Sequence, residues 1–212
     1  MATKEQVVIE ILKAAQTEDQ ENFIYAVPNI FTRKVKSYML IREDLKFLIE
    51  IVDILIDLKK QANQNDTLSL ALWQSLIVTY GKCFTENKAG MSKLEQSVFE
   101  NQDEVHRAVH ESLMSLRHSY IAHRDDMESE QAIVFMKIPK DKDIVDFTEY
   151  QIKSVKLVSP GLAALENYRK LFDVLMSIVE VKIQTHTQKA HSAFLANIPP
   201  ELSKYLLINN MK

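Results

Sequence analysis

Between Arg42 and Gln61 the residues Leu45, Leu48, Ile49, Val52, Leu55, Ile56 and Lys59 recur at steps of three and four. At 3.6 residues per turn they form one stripe on an α-helix, whereas a strand, with its period of two, would scatter them over both faces. Ile51 and Ile54 widen that stripe, so the helix is expected to pack on two sides. Only 3 Gly and 5 Pro occur in 212 residues, too few for the turns of an all-β fold. The chain is therefore read as mainly α, a bundle of about five helices, and its length fits one domain with a buried core.

The flanking segments fill out that bundle. Val7, Val8, Ile11, Leu12 and Ala15 give an amphipathic helix over Lys4–Ala15, and Pro28 marks a break or a helix start. Arg33, Lys34, Lys36 and Arg42 make the densest positive run, either a solvated face or a phosphate-contacting patch. After the polar turn Asn63-Gln64-Asn65-Asp66, a helix from Leu68 to about Thr85 carries Leu72, Trp73, Leu76, Ile77, Tyr80 and Phe84, the natural antiparallel partner of the helix before it. Trp73 reads as packing. Ser92-Lys93-Leu94-Glu95 has the form of a capping box.

A central helix is expected from Asn101 to about His123, with Asn101 and Glu104 as a second capping signal. At 100° per residue Val105, Val109, Ser112, Leu113, Leu116 and Tyr120 share one face, read as the core side. Beside it runs a ridge of His106, His110, Met114, Arg117, Ile121 and Arg124, either a contact surface for another helix or subunit or ordinary surface scatter. Ala132–Ile138 and Tyr150–Val158 change to a period of two and predict a small β-hairpin, about residues 131–158. Ser159-Pro160 then opens a long helix from Leu162 to about Thr187. Residues 1–188 are read as a single domain and 189–212 as a C-terminal arm.

The formal charge of −3 gives no bulk attraction for nucleic acid, so any polyanion contact must be local. A lone cysteine, Cys83, excludes an intramolecular disulfide framework and reads as a small buried hydrophobe. No cationic N-terminal region precedes an apolar core, and no run approaches ~18 apolar residues, so no membrane span and a cytoplasmic location are expected. His106 and His110 have the i, i+4 spacing of zinc ligands but no third ligand close by, and no Gly-rich phosphate loop or nucleophile elbow is present, so no metal or cofactor is expected.

The most suggestive chemistry lies in Leu116-Arg117-His118-Ser119-Tyr120-Ile121-Ala122-His123-Arg124-Asp125. Imidazole titrates near pH 6.5, so His118 or His123 could take a proton in one step and return it in another, and Arg117 and Arg124 can fork onto phosphate oxygens. Cleavage of a phosphodiester by its own 2′-hydroxyl needs that combination and no metal. Plainer roles stand beside it: His123 as a hydrogen-bonded core residue, Arg117 as the ion-pair partner of Glu111 or Asp125.

Arg117-His118-x4-His123 resembles the Arg-polar-x4-His signature of the HEPN domains, small helical proteins that include many toxin and abortive-infection ribonucleases. Ala122-His123-Arg124-Asp125 resembles the abortive-infection-type branch, as does Ala71-Leu72-Trp73-Gln74-Ser75 with Tyr80 and Phe84, and the likeness covers roughly residues 40 to 185. The resemblance implies a homodimer in which two motifs face one another across a composite site. Arg117 would match its conserved arginine, His123 its catalytic histidine and His118 the polar position after the arginine, assisting catalysis, with a cognate antitoxin as a partner; Arg124, Tyr120 and His110 are the nominated RNA contacts. It equally implies an alternative, since family members also serve as non-catalytic RNA-binding or regulatory modules. In a regular helix Arg117 and His123 would sit about 120° apart, which favours a site shared by two subunits.

Overall fold

The computed structural model describes residues 3–22, 24, 26–27, 29–61, 66–86, 91–122, 131–137, 149–155 and 158–198. Among these the chain is mainly α, with helices α1 (Lys4–Glu18), α2 (Ile30–Lys60), α3 (Asp66–Phe84), α4 (Glu104–Leu116) and α5 (Leu162–Ala196). A 3-10 turn, Gln96–Phe99, precedes α4, and a π-helical turn, Arg117–Ala122, follows it. Strands β1 (Gln131–Lys137) and β2 (Glu149–Val155) form the expected antiparallel hairpin, in a register that sets Val134 opposite Ile152. No helix among the described residues is long and apolar enough to cross a membrane.

The chain forms two compact units, Met1–Lys36 with Lys182–Lys212, and Ser37–Val181. In the first, α1 opens with a capping box: Gln6 N–H donates to Thr3 Oγ1 at 3.2 Å and Thr3 N–H to Gln6 Oε1 at 2.7 Å. Asn29 and Thr32 exchange the same pair of bonds at the start of α2, just after Pro28, as expected of a helix start there. α2 then continues without a break through the Arg33–Arg42 cationic run.

The second unit holds the larger core. The expected stripe of α2 is buried at Leu45, Leu48, Val52 and Leu55, joined by Ile51, and only Ile54 turns to solvent. α3 contributes Trp73, Leu76, Ile77 and Tyr80, and α5 contributes Leu165, Leu171, Phe172 and Leu175. Removing each such side chain from water contributes on the order of 1.5–3 kcal/mol. Trp73 stacks on Tyr168 of α5 at 5.4 Å between ring centroids. Outside the core, Lys82–Asp44 at 2.8 Å ties α3 to α2, and Arg169–Asp53 at 2.9 Å ties α5 to α2. Cys83 is fully buried, and burial pushes its thiol up to about 12, the inert role expected of it.

Several local expectations are corrected. Ser92 starts no helix; its N–H donates to Ser37 Oγ at 3.1 Å, while Leu94 N–H donates to the Cys83 carbonyl at 2.8 Å. α4 begins at Glu104, three residues after Asn101, because Asp103 caps it by accepting from His106 N–H at 2.8 Å. Its core side is shifted. Leu113 of the expected face is buried and Val109 and Leu116 are half-buried, but Val105 is 51% exposed and Ser112 is exposed, and the ridge supplies His110, which is buried, with His106, Met114 and Arg117 half-buried. The described part of the ridge, read as a contact surface for another helix or subunit or as scatter, faces a helix, α3, because the rings of α3 and of the preceding turn enclose His110. Finally, α5 starts at Leu162 as expected, taking its first hydrogen bonds on the Gly161 carbonyl, but it runs past Thr187 to Ala196, into the segment read as an arm.

The hairpin adds exposed apolar surface instead of core, with Val134 62% and Ile152 71% exposed. We expect Leu48→Ala to cost about 2–5 kcal/mol of unfolding free energy in urea. Ile133→Ala, 64% exposed, should change it by no more than about 0.5 kcal/mol.

Candidate functional site

The motif begins where α4 changes its winding. Arg117 N–H is shared between the carbonyls of Leu113 and Met114, and from there to Ala122 the backbone follows the wider i→i+5 pattern. Such a turn rotates each residue by less than the 100° of an α-helix, and the 120° separation expected between Arg117 and His123 involves a residue outside the described ones. Single π-turns of this kind cost hydrogen-bond geometry and occur frequently at functional sites.

Arg117 is half-buried and lies across α3. A Cβ added to Gly81 would meet Arg117 Cγ at 2.8 Å and Cδ at 3.2 Å, so the missing side chain of Gly81 is the space the arginine stem occupies. The guanidinium Nη1 lies 3.4 Å from His118 Nδ1. A guanidinium can only donate, so this contact needs Nδ1 as acceptor, with the ring proton on Nε2. His118 itself is exposed. Among the described residues Arg117 pairs with no carboxylate, and Glu111 is not its partner.

Arg117 forms part of the wall of an open groove of about 650 Å³ between α2 and α3. Its floor is apolar, from Leu40, Ile41, Val78 and Met91, and its rim carries Glu43, Asp44, Glu86 and Lys82. Glu43 is held by Arg42 at 3.1 Å and Lys46 at 3.0 Å, which keep its carboxyl below the usual range, chiefly through the Lys46 hydrogen bond.

His110, expected to contact RNA, is a core residue. Its ring packs 4.3 Å from that of Phe99 and 4.6 Å from that of Phe84, and its Nδ1 lies 2.7 Å from Tyr80 Oη. Burial raises the Tyr80 phenol and lowers the His110 imidazole, so a neutral phenol and a neutral ring share this hydrogen bond. His106 Nδ1 sits 3.0 Å from Asp103 Oδ1, though out of line for a hydrogen bond. Among the described residues no group of three or more His, Cys, Asp and Glu is placed to hold a metal ion.

His123 and Arg124 lie outside the described residues, and of Tyr120 only the backbone, within the π-turn, is described. Of the sequence-nominated site, then, Arg117 and His118 are brought together, and His110 is removed from it. Gly81 was missed. Its signal was present, a lone glycine inside a helical pattern, which implies a packing or functional reason.

His110 makes stability depend on pH. Its folded-state value lies below its unfolded one, so the neutral ring stabilises the fold above about pH 6.5, and stability falls as pH drops from there toward the lower folded value. Urea unfolding at successive pH values should show this fall, and a shallower one in His110→Phe. Equal slopes would exclude the buried imidazole as its source.

Comparison with protein-family models, with curated proteins and with solved structures finds no match to the chain.

Proposed function

We propose that the chain is a HEPN-like, metal-independent endoribonuclease of the toxin or phage-defence type, acting as a homodimer on RNA. One observation carries the reading: Arg117 and His118 share a π-helical turn at the edge of an open groove, with guanidinium and imidazole in contact. One histidine, His123 or His118, takes the proton of a ribose 2′-hydroxyl, whose oxygen attacks the adjacent phosphorus. Arg117 stabilises the doubly charged phosphorane, the bond to the 5′-oxygen breaks, and a protonated imidazole returns a proton to that oxygen. The products are a 2′,3′-cyclic phosphate and a free 5′-hydroxyl, so no water or redox partner is consumed.

The homodimer rests on the motif resemblance alone, since the ridge that favoured it is turned toward α3. A second reading, a non-catalytic binding or regulatory module, is favoured by the groove itself. Glu43, Asp44 and Glu86 beside Arg117 disfavour a phosphate there, and the arginine stem already fills the Gly81 notch.

Purified protein incubated with mixed RNA in EDTA should leave cyclic phosphate ends, and Arg117→Ala or His123→Ala should slow that by about 10²-fold or more. Equal residual cleavage in all three samples would sink the ribonuclease reading. Gly81→Ala separates catalysis from stability: alanine favours the helix by about 0.5–1 kcal/mol, yet its Cβ must displace Arg117. RNA cleavage should therefore fall in a variant that remains helical by circular dichroism.

A further inference from the structure

We propose that the unit formed by Met1–Lys36 and Lys182–Lys212 carries a second RNA-binding surface, apart from the motif, built by Arg33, Lys34 and Lys36 of α2 with Lys182, His186 and Lys189 of α5. It goes beyond the cleavage reading, because it concerns binding to the sugar-phosphate chain and requires no reaction.

The first support is convergence. In sequence the two groups are some 150 positions apart, but Phe31 of α2 stacks on His186 of α5 at 6.5 Å with 20° between the rings. Asn29 Nδ2 reaches the Ala190 carbonyl at 3.5 Å. Lys34, Lys182 and Lys189 all act on His186: after desolvation, which is the larger cause, their charges hold its imidazole below the usual range.

The second support is the local charge pattern. No Asp or Glu occurs between Asn29 and Arg42, or between Val181 and Ile198. Among the described residues Lys34, Lys36 and Lys189 have no carboxylate partner, and all three are exposed. In a chain of net charge −3 these cations form a local positive cluster on two packed helices, where like charges repel one another and a polyanion would relieve that repulsion. Lys182, His186 and Lys189 follow i, i+4, i+7 along one face of α5, a stripe of ~10 Å at ~1.5 Å per residue. That is about the length of three phosphates of one strand at ~3.4 Å each. On the α2 side, Asn29, Ile30, Thr32, Arg33 and Lys36 line an open cleft of about 650 Å³.

The partner chemistry follows from what lies among the cations. The Phe31–His186 ring pair offers a base a stacking platform, as single-strand binding surfaces do. An anionic bilayer is disfavoured, because α1, the amphipathic helix of the same unit, carries Glu5, Glu10 and Glu18 against Lys4 and Lys13.

The test uses the full chain and a fluorescein-labelled 2′-O-methyl RNA, which cannot be cleaved by its own hydroxyl, so the outcome is independent of catalysis. Anisotropy should give binding that weakens with salt. In Lys34→Gln/Lys36→Gln/Lys189→Gln affinity should fall at least about tenfold, and the slope of log K on log salt by about 2, at ~0.7 per lost phosphate contact. The matching triple arginine variant should retain binding, since it keeps the charges. Equal affinity in wild type and the glutamine variant would overturn the proposal. So would wild-type binding to phosphatidylglycerol vesicles with none to RNA, which would assign the surface to membranes instead.

Discussion

The hydrogen bond between the Tyr80 phenol and His110 Nδ1 sets the orientation of α4, and with it the position of the motif. An imidazole enclosed by Phe84, Phe99 and Tyr80 is buried only at the cost of losing its charge, and the phenol compensates the one ring nitrogen it reaches. Once His110 faces α3, the residues one and two turns away on the same stripe follow it. His106 is half-buried, Arg117 is laid across Gly81, and Val105 is turned outward. The wider π-turn begins at the next residue in line, where the arginine stem passes α3 with no side chain in its way.

A residue that looked like part of a reactive surface is thereby a structural one, and a glycine that looked incidental is what admits the arginine. Gly81 in mid-helix is unfavourable relative to alanine, a cost that α3 offsets through its buried Trp73, Leu76, Ile77 and Tyr80. The motif arginine consequently has its stem held by α3 and, among the described residues, its guanidinium paired with no carboxylate, although Glu43, Asp44 and Glu86 line the same groove.

Legibility in the sequence varied with the range of the interaction concerned. The α2 stripe could be read because a run of leucines and isoleucines at steps of three and four leaves one face to bury, and the hairpin because two short runs rich in Val, Ile and aromatic residues flank a Pro-containing polar loop. The α4 face could not. A helix carrying both Val105, Val109 and His106, His110 offers two candidate stripes about 100° apart, and hydrophobicity alone favours the valines. What reversed the choice was a neutral histidine finding a phenol 30 positions earlier in the chain. The π-turn was equally hidden, since Arg117–Ala122 contains no residue with a special backbone requirement. Ser92-Lys93-Leu94-Glu95 misled for the opposite reason: its capping form was genuine, but Ser37 and Cys83 offered its amides better partners.

The amino-acid sequence by itself determined a mainly helical chain, the hairpin, a buried inert thiol, and a short stretch in which Arg117 and His118 stand together. These follow from periodicity, turn chemistry and adjacency, which act over a few residues. Only the tertiary structure decided that His110 of α4 faces the core, that Gly81 houses Arg117, and that the charges of Lys34, Lys182 and Lys189 all act on His186. Each of those depends on residues distant in the chain competing for the same volume or adding to the same field, and no local pattern encodes the outcome.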